Sequence, residues 1–176
     1  MTEALLVIDA QVNMFEPHPA FDASGLLDRL VGLVRAPRDA GVPVAFVRNN
    51  GTAQDPDFPG SPGWDVHPRL SPRTDEPVID KWESDSFSAP ALPAFLDRFH
   101  AKSVVLVGLQ SEYCISATTA GALTNGRSVV VVSDGHSTYD GATPAPEIIA
   151  AVNQRLSESA KMETAAEVAS RWSAKT

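Results

Sequence analysis

Three residues whose side chains could act together in nucleophilic catalysis are Asp9, Lys81 and Cys114. Asp9 and Lys81 end short apolar runs that are typical of buried strands, and Cys114 follows a third run after a short polar segment. Because the carboxyl ends of parallel strands meet at one edge of a sheet, we expect these side chains to converge there. The carboxylate could carry the proton of the thiol, and the ammonium group could stabilise a thiolate and an oxyanion.

Two of these residues also have a purely structural explanation. Cys114 is the only cysteine of the chain, and free cysteine is among the most buried residue types, so it could be an inert core residue. Asp9 could form a turn or a cap. The meeting of three strand ends favours the catalytic interpretation.

Cys114 lies near the junction of a predicted strand and a predicted helix. The β-branched run 104–107, bounded by Gly108, indicates a strand that is buried on both faces. Small and β-branched residues then recur at helical spacing over 115–126. The unpaired N–H groups at the start of such a helix would stabilise a thiolate and an oxyanion at an attacked carbonyl group.

Strand patterns alternate with helical patterns along the chain. This alternation predicts a three-layer α/β/α fold with a doubly wound, mainly parallel six-stranded sheet, in a single domain over residues 1–176. Pro37 is expected to kink or end the first helix, and 135–140 is expected to be a loop. The predicted strands are 4–9, 42–48, 76–81, 104–108, 127–134 and 161–164, and the predicted helices are 26–34, 92–100, 115–126, 144–156 and 165–172.

The segment 49–76 is rich in proline and glycine and has no regular pattern. A loop of this length in a compact domain is usually functional, so we expect it to form a lid or a wall over a site. A neighbouring subunit could complete or order it.

The composition argues against several classes of partner. The formal net charge of −8, without a cluster of basic residues, argues against nucleic acid. No apolar run approaches the ~18 residues of a membrane span, and no cleavable signal is visible. A single cysteine forms no intramolecular disulfide, so we expect a reducing, cytoplasmic location.

The ordered set of motifs resembles the isochorismatase-like cysteine hydrolase superfamily, which includes nicotinamidases, N-carbamoylsarcosine amidohydrolase and ureidoacrylate amidohydrolases. The matching segments are 6–11 with Phe15, Lys81, 108–115 with Thr118 and Ala122, 132–137 and 162–164. The resemblance implies that Cys114 is the nucleophile, Asp9 the proton acceptor and donor, and Lys81 the electrostatic support. It also implies a cis peptide at Gln110–Ser111 that aims a backbone N–H at the oxyanion, together with the N–H of Cys114.

The resemblance narrows the reaction. Isochorismatases proper cleave a vinyl ether without a covalent intermediate and lack the cysteine, so Cys114 points to hydrolysis of a C–N bond through an acyl-enzyme. The expected substrate is a small amide, ureido or carbamoyl compound. A vinyl-ether hydrolase and a catalytically silent binding protein on the same fold are the alternatives.

No metal or other cofactor is expected. Nicotinamidases carry an Asp/His metal site after the second strand, where this chain instead has 48–51, Arg-Asn-Asn-Gly. The candidate ligands that follow lack the matching spacing. They are Asp55, Asp57, Asp65 and His67.

Several side chains near the predicted sheet edge are candidates for substrate contacts. For Arg48 the alternative is an ion pair at the strand edge, and for Trp64 and Tyr113 it is subunit packing. A homo-oligomer, dimeric or larger, is expected. The full set of candidates is Gln11, Phe15, Arg48, Trp64, Gln110 and Tyr113.

Overall fold

The computed structural model describes residues 2–174. Within that range it contains one sheet of six strands in the order β3-β2-β1-β4-β5-β6, and every neighbouring pair is parallel. This confirms the predicted three-layer, doubly wound α/β fold. The strands are β1 Glu3–Ile8, β2 Val44–Asn49, β3 Val78–Lys81, β4 Ser103–Leu109, β5 Ser128–Ser137 and β6 Lys161–Glu163, and the α-helices are α1 Ala23–Ala40, α2 Ala91–Arg98, α3 Ser116–Thr124, α4 Ala145–Leu156 and α5 Ala165–Ser173.

The sheet has a hydrophobic core on each face because its strands alternate side chains between the two sides. In β1, Leu5 and Val7 pack with α1 and α5, whereas Leu6 and Ile8 pack with α2, α3 and α4. All residues of β1 are buried, as expected for a central strand between two helical layers. The strand order reverses between β1 and β4, which is where open sheets of this kind form a crevice.

Helix α1 continues through Pro37 to Ala40. The prediction that Pro37 could end the helix is therefore wrong. The helix stops at Gly41, whose φ of 67° is left-handed and whose N–H donates to the Pro37 carbonyl. Proline removes one donor from the helix, and the buried position of Pro37 compensates for that loss through packing. Glycine adopts the left-handed conformation without strain, so Gly41 sets the end.

Strand β5 is longer than predicted. It runs to Ser137, so the segment predicted as a loop after Asp134 begins with three strand residues. The polar residues there resembled a loop, but β4 supplies a pairing partner: Gly108 lies opposite His136, and Leu109 lies opposite Ser137. The extension brings His136 beside the strand that leads to Cys114.

The short edge strand predicted near 161–164 is confirmed as β6. None of the helices within residues 2–174 has the length and apolar character that a membrane span requires. Met1 and residues 175 and 176, which the predicted domain includes, lie outside the described residues.

Candidate active site

The three side chains predicted to act together, those of Asp9, Lys81 and Cys114, lie close to one another at the carboxyl edge of the sheet. Asp9 directly follows β1, and Lys81 is the last residue of β3. Cys114 lies in a π-helical turn, Ser111–Ile115, which joins β4 to α3. We call this segment the nucleophile turn.

Gly108 allows β4 to approach the end of β1 closely. Its φ is 122°, and a Cβ at this position would lie 1.8 Å from the carbonyl oxygen of Ile8. Any larger residue would push the two strands apart and separate the nucleophile turn from Asp9. Asp9 itself has a φ of 48°, a left-handed conformation that is unfavourable for a non-glycine residue and that the surrounding structure must hold.

Lys81 is bound on all sides. Its Nζ lies 2.9 Å from Oδ2 of Asp9, 3.2 Å from Oδ1 of Asn49 and 3.4 Å from Sγ of Cys114. An ammonium group has three N–H donors, so these contacts use all of them. Since the side chain of Lys81 is 0% exposed, this residue orders the other side chains and does not extend into the crevice.

Burial and charge act against each other on the Asp9–Lys81 pair. Burial raises the pKa of Asp9, and the charge of Lys81 offsets this only in part. Burial alone would lower the pKa of Lys81, but the charges of Asp9 and Cys114 outweigh it and the net shift is upward. Lys81 therefore stays cationic, while Asp9 is a stronger base than an exposed aspartate.

The surroundings of Cys114 favour its thiol form over the thiolate. Burial, and then the negative charge of Asp9, raise the pKa of Cys114 to about 12, although Lys81 acts in the opposite direction. Lys81, whose Nζ lies 3.4 Å from Sγ, lowers the pKa of Cys114 but does not outweigh burial and the charge of Asp9. Among residues 2–174, no nitrogen or oxygen donor reaches the buried Oδ1 of Asp9, so this atom is available to the thiol proton.

A cavity of about 440 Å³ opens at Cys114. Asp9 and Asn49 line its inner end, and Gln110 and Tyr113 line the side of the nucleophile turn. Residues 55–57 form another wall, which places part of the loop 49–76 over the site as predicted. Tyr113 is 59% exposed, so its ring stands at the mouth of the cavity.

Gln11 has a structural position instead of the predicted substrate contact. It is fully buried, and its Nε2 donates to the carbonyl oxygens of Asn49 and Trp64 at 3.0 and 2.8 Å. Its Oε1 accepts the N–H of Asn49 at 2.8 Å. These bonds use the side-chain amide to fasten both β2 and the long loop to the end of β1.

Phe15, Arg48 and Trp64 also lie outside the cavity lining. Phe15 makes an edge-to-face contact with His67, with ring centroids 5.1 Å apart. Arg48 forms ion pairs with Asp80 and Asp65, both at 2.8 Å, and stacks on the ring of Trp64. Oppositely charged neighbours hold Arg48 at the strand edge, so the alternative of an edge ion pair describes it.

The predicted cis peptide is displaced by one residue. The non-proline cis bond is Leu109–Gln110, not Gln110–Ser111. The sequence pattern indicates roughly where the strand gives way to the turn, but it does not indicate which peptide bond there is cis. The exact end of β4, at Leu109, depends on pairing with Ser137 of β5. Ser111 is fully buried, and its hydroxyl faces His136 instead of the cavity.

Sequence reasoning missed Asn49 and Asn153 and assigned no role to His136, although these residues support Asp9, Lys81 and Cys114 on two sides. On one side, Nδ2 of Asn49 donates to Oδ2 of Asp57 at 2.7 Å. On the other side, a buried chain joins Ser111, His136 and Asn153. Two signals were available: Asn49 ends β2 beside Lys81 in the sheet, and His136 lies in the 132–137 segment that carries the family resemblance.

The four residues considered as metal ligands each have other partners, and Asp57 accepts from the side chain of Asn49. Asp55 accepts bonds from Thr52, and Asp65 pairs with Arg48. His67 accepts the N–H of Arg69 through Nδ1. Over the described range 2–174, no group of three or more His, Cys, Asp or Glu side chains is arranged to hold a metal ion.

Comparison with known proteins identifies the family of this chain. The protein-family model of the isochorismatase domain matches residues 3–164 of this sequence. The chain belongs to the isochorismatase family. A protein named streptothricin hydrolase, from Streptomyces noursei, is 36% identical over 159 residues, which are 90% of this chain and 57% of that protein. This chain therefore spans little more than half the length of that relative.

Two solved structures have folds closely similar to that of this chain. An isochorismatase from Pseudomonas putida KT2440 has a TM-score of 0.86 and 25% identity, over 94% of this chain and 89% of that one. A cysteine hydrolase from Pseudomonas syringae pv. phaseolicola 1448A has a TM-score of 0.90 over 99% and 93% of the two chains. The latter is 21% identical and shows the shared fold alone.

Proposed function

We propose that this protein is a cysteine-dependent hydrolase that cleaves a C–N bond of a small amide, ureido or carbamoyl compound through a covalent acyl-enzyme. The observation that carries the proposal is the contact of one lysine, Lys81, with both Asp9 and Cys114 at the inner end of an open cavity. A nucleophile, a base and a fixed cation within hydrogen-bond reach are the parts that acyl transfer needs. The relationship to a streptothricin hydrolase supports hydrolysis as the reaction class.

In the first half-reaction, Asp9 takes the proton of Cys114 as Sγ attacks the carbonyl carbon of the substrate. The raised pKa of Cys114 means that proton transfer accompanies the attack and does not precede it. The carbonyl oxygen becomes an oxyanion, which N–H groups of the nucleophile turn stabilise. Collapse of this intermediate breaks the C–N bond, and Asp9 returns its proton to the departing nitrogen.

In the second half-reaction, water hydrolyses the thioester. Asp9 takes a proton from water as the water oxygen attacks the acyl carbon, and the C–S bond then breaks. The sulfur recovers the proton from Asp9 and the carboxylic acid product leaves, so the thiol of Cys114 and the carboxylate of Asp9 are regenerated. Lys81 stays charged throughout, since its pKa is raised and its position between Asp9 and Cys114 does not require it to transfer a proton.

The charges around the cavity favour a neutral or cationic substrate. Its lining includes the carboxylates of Asp9, Glu16, Asp55 and Asp57, and no lysine or arginine is among the described residues that line it. Lys81 balances the charge of Asp9, which leaves a negative surplus. A substrate that carries a carboxylate near the scissile bond would meet like charges, whereas an amino group would be attracted.

The test combines a substrate panel with mass spectrometry. Small ureido, carbamoyl and lactam amides, with streptothricin among them, are mixed with the protein and quenched early. Because Cys114 is the only cysteine, any thiol-bound acyl group is located there. We expect an acyl adduct and loss of hydrolysis in Cys114→Ala; an unchanged turnover rate in that variant would disprove the cysteine mechanism.

The same panel tests the charge preference. Two amides that differ only in an amino or a carboxyl group near the scissile bond form the matched pair. We expect a higher kcat/KM for the amino compound, with a ratio that shrinks as salt is added, because salt screens exposed charges. Equal values at low salt would contradict the preference. The homo-oligomeric state and the cytoplasmic location stay predictions.

A further inference from the structure

A buried chain of neutral side chains reaches the nucleophile turn from the side opposite Lys81. Oγ of Ser111 lies 2.8 Å from Nδ1 of His136, and Nε2 of His136 lies 2.9 Å from Oδ1 of Asn153. Nδ2 of Asn153 donates to the carbonyl oxygen of Ser133 at 2.9 Å. Ser111 and His136 are 0% and 3% exposed, so water does not compete for these bonds.

The direction of every hydrogen bond in this chain follows from its last member. The carbonyl oxygen of Ser133 only accepts, so the amide nitrogen of Asn153 must point toward it. Oδ1 of Asn153 then faces His136 and accepts its Nε2–H. Nδ1 of His136 is left as an acceptor, and Ser111 donates its hydroxyl proton to it. The chain is therefore satisfied throughout when His136 is neutral, and burial, which lowers the pKa of His136, favours that form.

Ser111 is fixed at a second point. Its carbonyl oxygen accepts the hydroxyl of Ser116 at 2.8 Å, and Ser116 in turn accepts from Arg155 at 2.7 Å. Asn153 and Arg155 both belong to α4, so one helix holds the side chain and the carbonyl group of the same residue. The bond to the Ser111 carbonyl sets the peptide plane that carries the Glu112 N–H. The Gln110 carbonyl accepts the N–H groups of Tyr113 and Ile115, and this sets the plane that carries the Ser111 N–H.

We propose that His136 and Asn153 are positioning residues for the reaction, because they hold Ser111 and thereby aim the N–H groups of the nucleophile turn at the oxyanion. The inference rests on the proposed function, since it assigns these N–H groups to acyl transfer. It concerns the stabilisation of the transition state and not the reactivity of the thiol. Loss of the chain should therefore reduce kcat while KM and the alkylation of Cys114 change little.

The first variants act on the two ends of the Ser111–His136 bond. Ser111→Ala and His136→Phe each remove that bond, and Ser111→Thr keeps the hydroxyl. We expect Ser111→Ala to lower kcat roughly 10- to 100-fold, less than the ~100- to 1,000-fold known for deleting an oxyanion donor outright. KM and the rate of alkylation by iodoacetamide should stay within about twofold, since neither needs the oxyanion donors. Ser111→Thr should restore most of kcat.

A double variant separates positioning from general loss of structure. If the two residues act through one bond, Ser111→Ala/His136→Phe should have a kcat close to that of the worse single variant and not the product of both losses. Ser133→Ala is the control: it removes a hydroxyl on the same strand and keeps the carbonyl that binds Asn153. Thermal unfolding of every variant checks that each protein is folded at the temperature of the kinetic assay.

The outcomes distinguish this inference from the proposed function. A kcat of Ser111→Ala within twofold of wild type would overturn the inference, as would equal losses in kcat, 1/KM and alkylation rate, or failure of Ser111→Thr to restore kcat. None of these results affects the role of Cys114. Full hydrolysis by Cys114→Ala would instead overturn the proposed function, and the inference would fall with it.

Discussion

The two sides of the sheet edge support the candidate triad in different ways. On the β2–β3 side, Lys81 is held by Asp9 and by Asn49, which is itself fixed by Asp57. Charged groups dominate there, and Asp57 comes from the long loop over the cavity. On the β5–α4 side, every bond from Ser111 to Asn153 joins neutral groups inside the core.

This difference follows from what each side must hold. A buried ammonium group is unstable without compensating charge, so Lys81 requires carboxylates and a complete set of acceptors. A backbone turn requires fixed geometry and no net charge, which neutral hydrogen bonds provide without a penalty for burying ions. We therefore expect the first side to control the protonation of Cys114 and the second to control the shape of its surroundings.

The largest expected effect is that of Lys81→Met. The substitution keeps a stem of similar length but leaves the buried carboxylate of Asp9 without its cation, which should destabilise the fold by about 3–5 kcal/mol. Lys81 lowers the pKa of Cys114, so its removal should slow alkylation at every pH below the pKa of the thiol. Turnover should fall by about 1,000-fold or more.

The measurements for Lys81→Met are urea unfolding, turnover and the pH profile of iodoacetamide labelling. Lys102→Met, at an exposed position outside the site, is the matched control. An unmoved labelling profile would mean that Lys81 does not act on the thiol.

Asp9→Asn should affect the thiol in the opposite direction. The negative charge of Asp9 raises the pKa of Cys114, so its removal should make labelling faster at a given pH. Turnover should still fall by roughly 1,000-fold, because the base is lost. Parallel labelling and turnover assays check this pair of opposite changes; slower labelling would refute the assignment of Asp9 as the charge that keeps the thiol protonated.

Asp57→Asn should have a smaller effect, transmitted through Asn49. It removes the charged acceptor that orients the amide of Asn49 toward Lys81. We expect kcat to fall roughly tenfold, the equivalent of about 1.5 kcal/mol for one charge-assisted hydrogen bond. Asp39→Asn, an exposed change on α1, is the control. A kcat equal to wild type would show that Lys81 does not depend on this link.

The smallest effect concerns acid stability on the neutral side. Burial lowers the pKa of His136 from 6.5, so the unfolded chain takes up a proton before the folded chain does as the pH falls. This residue therefore reduces stability from the ordinary histidine pKa downward until the folded pKa is reached. His136→Asn removes that contribution.

Urea unfolding at about pH 7.5 and about pH 5.5 measures the change in stability across this range. The loss of unfolding free energy on acidification should be smaller in His136→Asn than in wild type. His100→Asn, an exposed substitution, should leave the loss unchanged. Equal losses in wild type and His136→Asn would show that His136 does not resist protonation.

The loop 49–76 shows that the sequence predicted which segment forms a wall of the cavity better than it predicted which side chains contact each other. Proline and glycine content indicated an irregular segment over the sheet edge, and residues 55–57 do line the cavity. Arg48 and Trp64 are candidates for substrate contacts, with an edge ion pair and subunit packing as the alternatives. In the structure, Arg48 stacks on Trp64 and pairs with two carboxylates. Their residue types suit either role, and only the positions of Asp65 and Asp80 decide between them.

The sequence by itself determined the parallel sheet and the ends of the strands that carry Asp9, Lys81 and Cys114. Apolar runs and their spacing are local properties, and the rules of α/β topology place such strand ends at one edge. Tertiary structure alone decided which polar groups bond to each other. Gln11 bonds to residues 38 and 53 positions away, and Ser111 depends on a histidine 25 positions away. Hydrogen bonds require contact within about 3 Å, and no local pattern reports which distant residue folding brings that close.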